Sequence, residues 1–111
     1  MDKKQKLPAL TGKQKKYLRG LGHHLDHIVI VGREGLTDTL IASCNDALKA
    51  HELIKIKLGQ NCPLDKKSAA DGLAQMTGSV LVQLIGKTVL LYKPNKDRKR
   101  DEQIQLPAGS K

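Results

Sequence analysis

The residues best suited to chemistry in this chain lie in one short run, Val31-Gly32-Arg33-Glu34-Gly35-Leu36-Thr37. Two glycines spaced as G-x-x-G, just ahead of a residue able to cap a helix, let backbone N–H groups come close to a ligand. A helix opening there adds the partial positive charge of its N-terminus, and Arg33 at the loop tip adds a planar fork of donors. Phosphate oxygens are the natural ligand of such a loop. Four residues of this pattern also serve as a plain tight turn whose glycines adopt positive φ, so the loop alone leaves a purely structural role open.

Catalytic and metal chemistry find less support. His23, His24 and His27 lie close together, but Asp26 is their only near carboxylate and His51 lies elsewhere. That spacing matches no H-E-x-x-H or closed zinc pattern, so no metal or other cofactor is expected. Ser43, Cys44 and Cys62 have no evident base beside them, and no G-x-S-x-G, Walker or G-x-G-x-x-G segment is present. The reading is of a chain that binds and does not catalyse. The two cysteines form no C-x-x-C pair and read as packing residues.

Charge gives the loop a context. The formal net charge is +9, and it is unevenly placed. Residues 1–19 carry seven cations against Asp2 alone, residues 20–86 six against seven carboxylates, and residues 87–111 seven against three. The middle is therefore near neutral and the excess belongs to the two ends. A polyanion is attracted to such a layout through counterion release, and nucleic acid is the commonest one. A chain kept soluble by lysine-rich ends is the bland alternative.

The elements that must position these groups can be read from periodicity. Thr11 and Gln14 form a T-x-x-Q capping box ahead of Tyr17, Leu18, Leu21 and Leu25, which predicts a helix over about 12–21 stopped by Gly20 and Gly22. Its polar side carries Lys13, Lys15, Lys16 and Arg19. His27 to Val31 is a strand feeding the glycine loop. Thr37 caps a second helix, about 38–50, with Leu40, Ile41, Cys44, Ala47 and Leu48 at helical spacing. Leu53 to Leu58 alternates, Ile54, Ile56 and Leu58 on one face and Lys55 and Lys57 on the other, which predicts a sheet with one buried and one wet face in two layers. A third helix over about 65–76 places Ala69, Leu73 and Met76 inward, weakened by Gly72 and ended by Gly78. Val80 to Ile85 and Thr88 to Tyr92 flank Gly86-Lys87, a two-residue loop that suits a type II′ hairpin. The order is αβαβαββ, an α+β fold.

Past Pro94 the chain becomes charged, with Lys96, Arg98, Lys99 and Arg100, after Lys87 and Lys93 in and beyond the hairpin. The domain is expected over residues 10–100, with a basic N-terminal extension over 1–9 and a flexible tail over 101–111. No apolar run reaches the roughly 18 residues of a membrane span, and no secretory leader is apparent, so a cytoplasmic monomer is expected, with no membrane and no small-molecule substrate. Aromatics are scarce: Tyr17 and Tyr92, with no Phe or Trp. Readers of single strands that stack bases on aromatic platforms are thus not expected, and recognition should rest on backbone and shape.

Taken together, several blocks at ordered spacing resemble the CRM domain (chloroplast RNA splicing and ribosome maturation), in its stand-alone bacterial YhbY-type form. They are Leu10 to Arg19, Val29 to Thr37, His51 to Lys57 and Gln83 to Pro94, so the likeness covers about residues 10–100. The resemblance implies a mixed four-stranded sheet with helices, similar to the C-terminal domain of bacterial translation initiation factor three. It also implies a structured ribosomal RNA as partner, 23S rRNA or the precursor of the large (50S) subunit, and group II intron splicing for the plant relatives. The family's G-x-x-G loop maps onto Gly32, Arg33, Glu34 and Gly35, of which Glu34 is the poorest phosphate contact. A competing reading is a basic adaptor docking an acidic protein, with Ile104 and Leu106 as an apolar anchor.

Overall fold

The structure, a computed structural model, describes residues 9–107. Helix α1 (Gly12–Gly22) precedes strand β1 (His27–Val31), followed by α2 (Asp38–His51), β2 (Leu53–Leu58), α3 (Lys66–Thr77), β3 (Val80–Ile85) and β4 (Thr88–Tyr92). The predicted order holds. Each helix begins at a side-chain cap, which satisfies an N–H that the first turn leaves without a partner. At α1 the cap is reciprocal: Thr11 Oγ1 accepts from Gln14 N–H and Gln14 Oε1 from Thr11 N–H, both at 3.1 Å. Thr37 Oγ1 accepts from Leu40 N–H at 3.1 Å, and Asp65 Oδ2 from Ser68 N–H at 3.2 Å.

The strands form one sheet in the order β1-β2-β4-β3. β1 runs parallel to β2, joined through α2, and the other two pairings are antiparallel. Gly86 turns the β3–β4 hairpin at φ +56°, as the first position of a II′ turn requires.

One sheet face is buried as predicted. Val31, Ile54, Ile56, Leu58, Val89 and Leu91 pack under Cys44 and Leu48 of α2 and Ala69, Ala70 and Leu73 of α3. The expectation of a uniformly wet second face, and hence of two layers, is corrected. Over half its extent that face is dry: Leu53, Val82, Leu90 and Tyr92 are covered by Leu18 of α1, with Leu10, Leu21, Ile104 and Leu106 around them. The apolar side of α1 must be buried, and α2 and α3 already fill the other face. Gly22 lets α1 lie close, since a Cβ there would meet Leu90 Cδ2 at 2.8 Å. Fully burying Leu18 is worth roughly 1.5–3 kcal/mol.

Two further expectations change. Met76 is 50 % exposed; the last turn of α3 instead buries Thr77, whose hydroxyl donates to Leu73 O at 2.6 Å. The segment over 101–107, expected to be a flexible tail, is strapped to the domain. Ile104 N–H donates to Glu52 Oε1 at 2.7 Å, and Gln14 Nε2 donates to Pro107 O at 3.1 Å. The remainder of that tail, and nearly all of the N-terminal extension with Lys3, Lys4 and Lys6, lie outside the described residues.

Candidate functional site

The glycine loop leaves the end of β1 and turns directly into α2. Gly35 N–H donates to Gly32 O at 3.0 Å, and Thr37 N–H to Gly35 O at 3.1 Å, so the loop closes on itself before the helix starts. The two glycines do different work. Gly35 is buried at φ +73° with Pro63 Cγ 3.6 Å from where a Cβ would sit, so its backbone demands glycine. Gly32 is exposed, with ordinary φ and nothing within 4 Å of an added Cβ. The fold does not need glycine there, and the absent side chain leaves the backbone exposed. Behind the loop, Gly59 N–H donates to Val31 O at 2.8 Å, an approach that a Cβ 2.7 Å from the same oxygen would block.

Arg33 and Glu34 project freely from the tip. The nearest cations along the fold come from the uncovered half of the sheet. Lys57 pairs with Ile30 on one side and Thr88 on the other, and Lys55 lies one step back on the same face. Leu58 N–H donates to Lys87 O at 2.7 Å, which draws the hairpin turn against the end of β2. Arg33, Lys57 and Lys87 thus stand at one end of the sheet, all exposed. Glu34 and Asp38 are exposed there too and offset part of that charge.

The other predicted cations are not gathered to this place. The run after Pro94 lies at the far end of β2, which at about 3.3 Å per residue is roughly 17 Å away. Arg98 within that run and Lys93 just before it are occupied inside the protein, against the expectation that they are free for a partner. Lys93 Nζ donates to Thr77 O at 3.0 Å, closing the C-terminus of α3, where a cation is favoured. Arg98 Nη1 donates to Glu52 Oε1 at 3.2 Å with its side chain only 20 % exposed. Lys96, Lys99 and Arg100 remain exposed. On α1, Lys13 and Lys16 are exposed, while Lys15 and Arg19 are half-buried along its flank.

Glu52 is a residue that sequence reasoning passed over. It sits between α2 and β2 at φ +66°, is 1 % exposed, and gathers the C-terminal strap. Besides Arg98 and Ile104, Asn95 N–H donates to its Oε2 at 2.6 Å. Burial, and then the Glu52 charge, raise the Tyr92 phenol above its usual range. Ile104 and Leu106 lie in the α1 cluster, so they are not available as the apolar anchor of an adaptor.

Burial pushes the Cys44 thiol up to about 11, away from the thiolate a nucleophile needs. Among the described residues, no three His, Cys, Asp or Glu side chains are grouped to hold a metal ion.

Comparison with known proteins gives a consistent result. A sequence model described as the CRS1 / YhbY (CRM) domain matches residues 10–93. Probable RNA-binding protein YqeI of Bacillus subtilis is 48 % identical over 98 residues, covering 88 % of this chain and 99 % of that protein. A Haemophilus influenzae protein named RNA-binding protein is 38 % identical over 101 residues, covering 91 % and 98 %. The solution structure of a Staphylococcus aureus protein, a candidate RNA-binding protein, superposes with a TM-score of 0.72 at 42 % identity, covering 89 % of this chain and all of that one.

Proposed function

Since the chain belongs to the CRS1 / YhbY (CRM) domain family, we propose that it is an RNA-binding protein that grips the backbone of a structured ribosomal RNA and acts in assembly of the large ribosomal subunit. The observation that carries this reading is the loop at Gly32–Gly35, bare at Gly32 and joined at one end of the sheet by Arg33, Lys57 and Lys87. Phosphates docked on the loop amides and those three side chains account for affinity without base-specific contacts. The exposed cations of α1 and of the segment after Pro94 act as outlying contacts along an extended RNA. Arg98 takes no part, being held by Glu52. The role is one of binding, with no bond made or broken.

The test is sedimentation of a cell lysate on sucrose gradients at low and raised salt. The protein should travel with large-subunit precursors at low salt and leave them as salt rises. Arg33→Ala with Lys57→Ala should release it sooner and make the dependence of log affinity on log salt shallower by roughly two, whereas Arg98→Ala should leave that slope unchanged. Protein confined to the top of both gradients overturns the assembly role, and an unaltered slope in the double variant overturns the site.

A further inference from the structure

The uncovered half of the sheet carries one feature that phosphate binding does not explain. His27, at the start of edge strand β1, shares a hydrogen bond between its Nε2 and Thr88 Oγ1 at 3.1 Å. Thr88 is on β4, and β2 lies between those strands. The imidazole therefore reaches across β2 on the face that carries Lys55 and Lys57, and the Thr88 hydroxyl fixes it there. His27 remains exposed, and beside it Ile28 and Ile30 are 46 % and 61 % exposed. Exposed β-branched side chains around an anchored flat ring are a surface the fold does not need. Next to the ring opens a cleft of about 490 Å³, lined by Leu21, Leu25, Leu53 and Lys55, with Asp26, Arg98 and Glu102 also on its wall. Clefts of this size take small planar ligands.

We propose that His27 is a base-stacking residue, and that the RNA bound here presents an unpaired nucleotide whose base lies on the imidazole and against Ile28 and Ile30. The inference rests on the RNA-binding reading and narrows its substrate class from folded RNA in general to RNA with an unpaired loop or bulge at this site. The charge pattern selects this occupant. Lys55 and Lys57 stand between the isoleucines of β1 and Thr88, so an apolar protein surface laid here would bury two ammonium groups without partners. A nucleotide brings a π-face for the ring and apolar side chains, and phosphates for the lysines. Bases within a duplex have both faces covered by their neighbours and cannot use the ring. With no Phe or Trp in the chain, His27 supplies the stacking plane that composition alone does not show.

The experiment compares two RNA probes, a hairpin with an adenine-rich unpaired loop and a blunt duplex of the same stem sequence, by binding titration and by proton NMR of the His27 ring. With the hairpin, the His27 carbon-bound ring protons should move upfield as a base stacks over them; with the duplex they should not. His27→Ala should weaken hairpin binding on the order of fivefold to tenfold with an unchanged salt slope, and His27→Tyr should restore it. Unshifted ring protons, or a His27→Ala chain that binds the hairpin as the unaltered chain does, overturn the stacking role while leaving backbone binding intact. Failure of both probes to bind even at low salt overturns the RNA-binding reading and this inference with it.

Discussion

Replacing Glu52 by alanine tests whether the C-terminal strap is held by a single buried carboxylate. Glu52 accepts from Asn95 N–H at 2.6 Å, Ile104 N–H at 2.7 Å and Arg98 Nη1 at 3.2 Å while 1 % exposed. Hydrogen bonds to a charged acceptor contribute roughly 1.5–3 kcal/mol each, but burying the carboxylate costs several kcal/mol, so the three do not simply add. Truncation removes the acceptor and strands two backbone N–H groups and a largely buried guanidinium. Breaking a buried pair in this way costs about 3–5 kcal/mol. With a urea m-value of roughly 1.5–2 kcal/mol/M, the unfolding midpoint should fall by roughly 2 M. Amide hydrogen exchange adds a local readout: Asn95 and Ile104 should lose protection by more than the core amides of β2 and β4. A loss below about 1 kcal/mol, or protection at Asn95 and Ile104 that merely follows the core, would refute the argument, because the strap would then be held by the packing of Ile104 and Leu106 alone.

The two loop glycines should separate stability from binding. Gly35→Ala forces φ +73° on a residue with a Cβ and should cost about 1 kcal/mol of stability, whereas Gly32→Ala should leave the unfolding midpoint unchanged and weaken RNA binding severalfold; equal effects on stability would remove the distinction. Cys44 predicts a pH dependence. Its folded-state value, about 11, lies above the ordinary 9.0, so its contribution is complete below pH 9 and is lost as pH rises toward 11 while the unfolded thiol ionises first. Stability should fall by about 2 kcal/mol between pH 8 and 10.5 on this account, and Cys44→Ala should lose that part of the decline when urea midpoints are compared at the two pH values.

Much of the fold was legible because local signals agreed with it. The T-x-x-Q box at Thr11, the cap at Thr37, the alternation of Ile54, Ile56 and Leu58 and the glycine turn at Gly86 each specify a hydrogen bond or a face that needs no distant partner. The second layer over the sheet was also written in the sequence, but more faintly. Val89-Leu90-Leu91-Tyr92 does not alternate, which is the pattern of a strand covered on both sides, and Leu53 is apolar on the face of Lys55 and Lys57. Glu52 was not legible. Its partners lie 43, 46 and 52 residues away, and a glutamate after an amphipathic helix looks like any solvated end. For the same reason Arg98 passed as one more charge in a basic run. His27 carried no signal either, since its anchor at Thr88 depends on β4 lying one strand beyond β2. Met76 shows the limit of periodicity at a helix end: the 3.6-residue spacing admits position 76 or 77, and the hydrogen-bonded Thr77 hydroxyl made a polar residue the buried one.

The bond from Gln14 Nε2 to Pro107 O, with Leu10 and Leu106 in one apolar cluster, brings the two ends of the described chain to a single corner. That corner lies beside Val80 and Tyr92, at the end of the sheet opposite Gly32 and the Gly86–Lys87 turn. The domain is thus close to a ring with one seam. A short linker across the seam would circularise it without moving a strand, and whatever is joined at either end departs from one point, leaving the glycine loop unobstructed at the far edge.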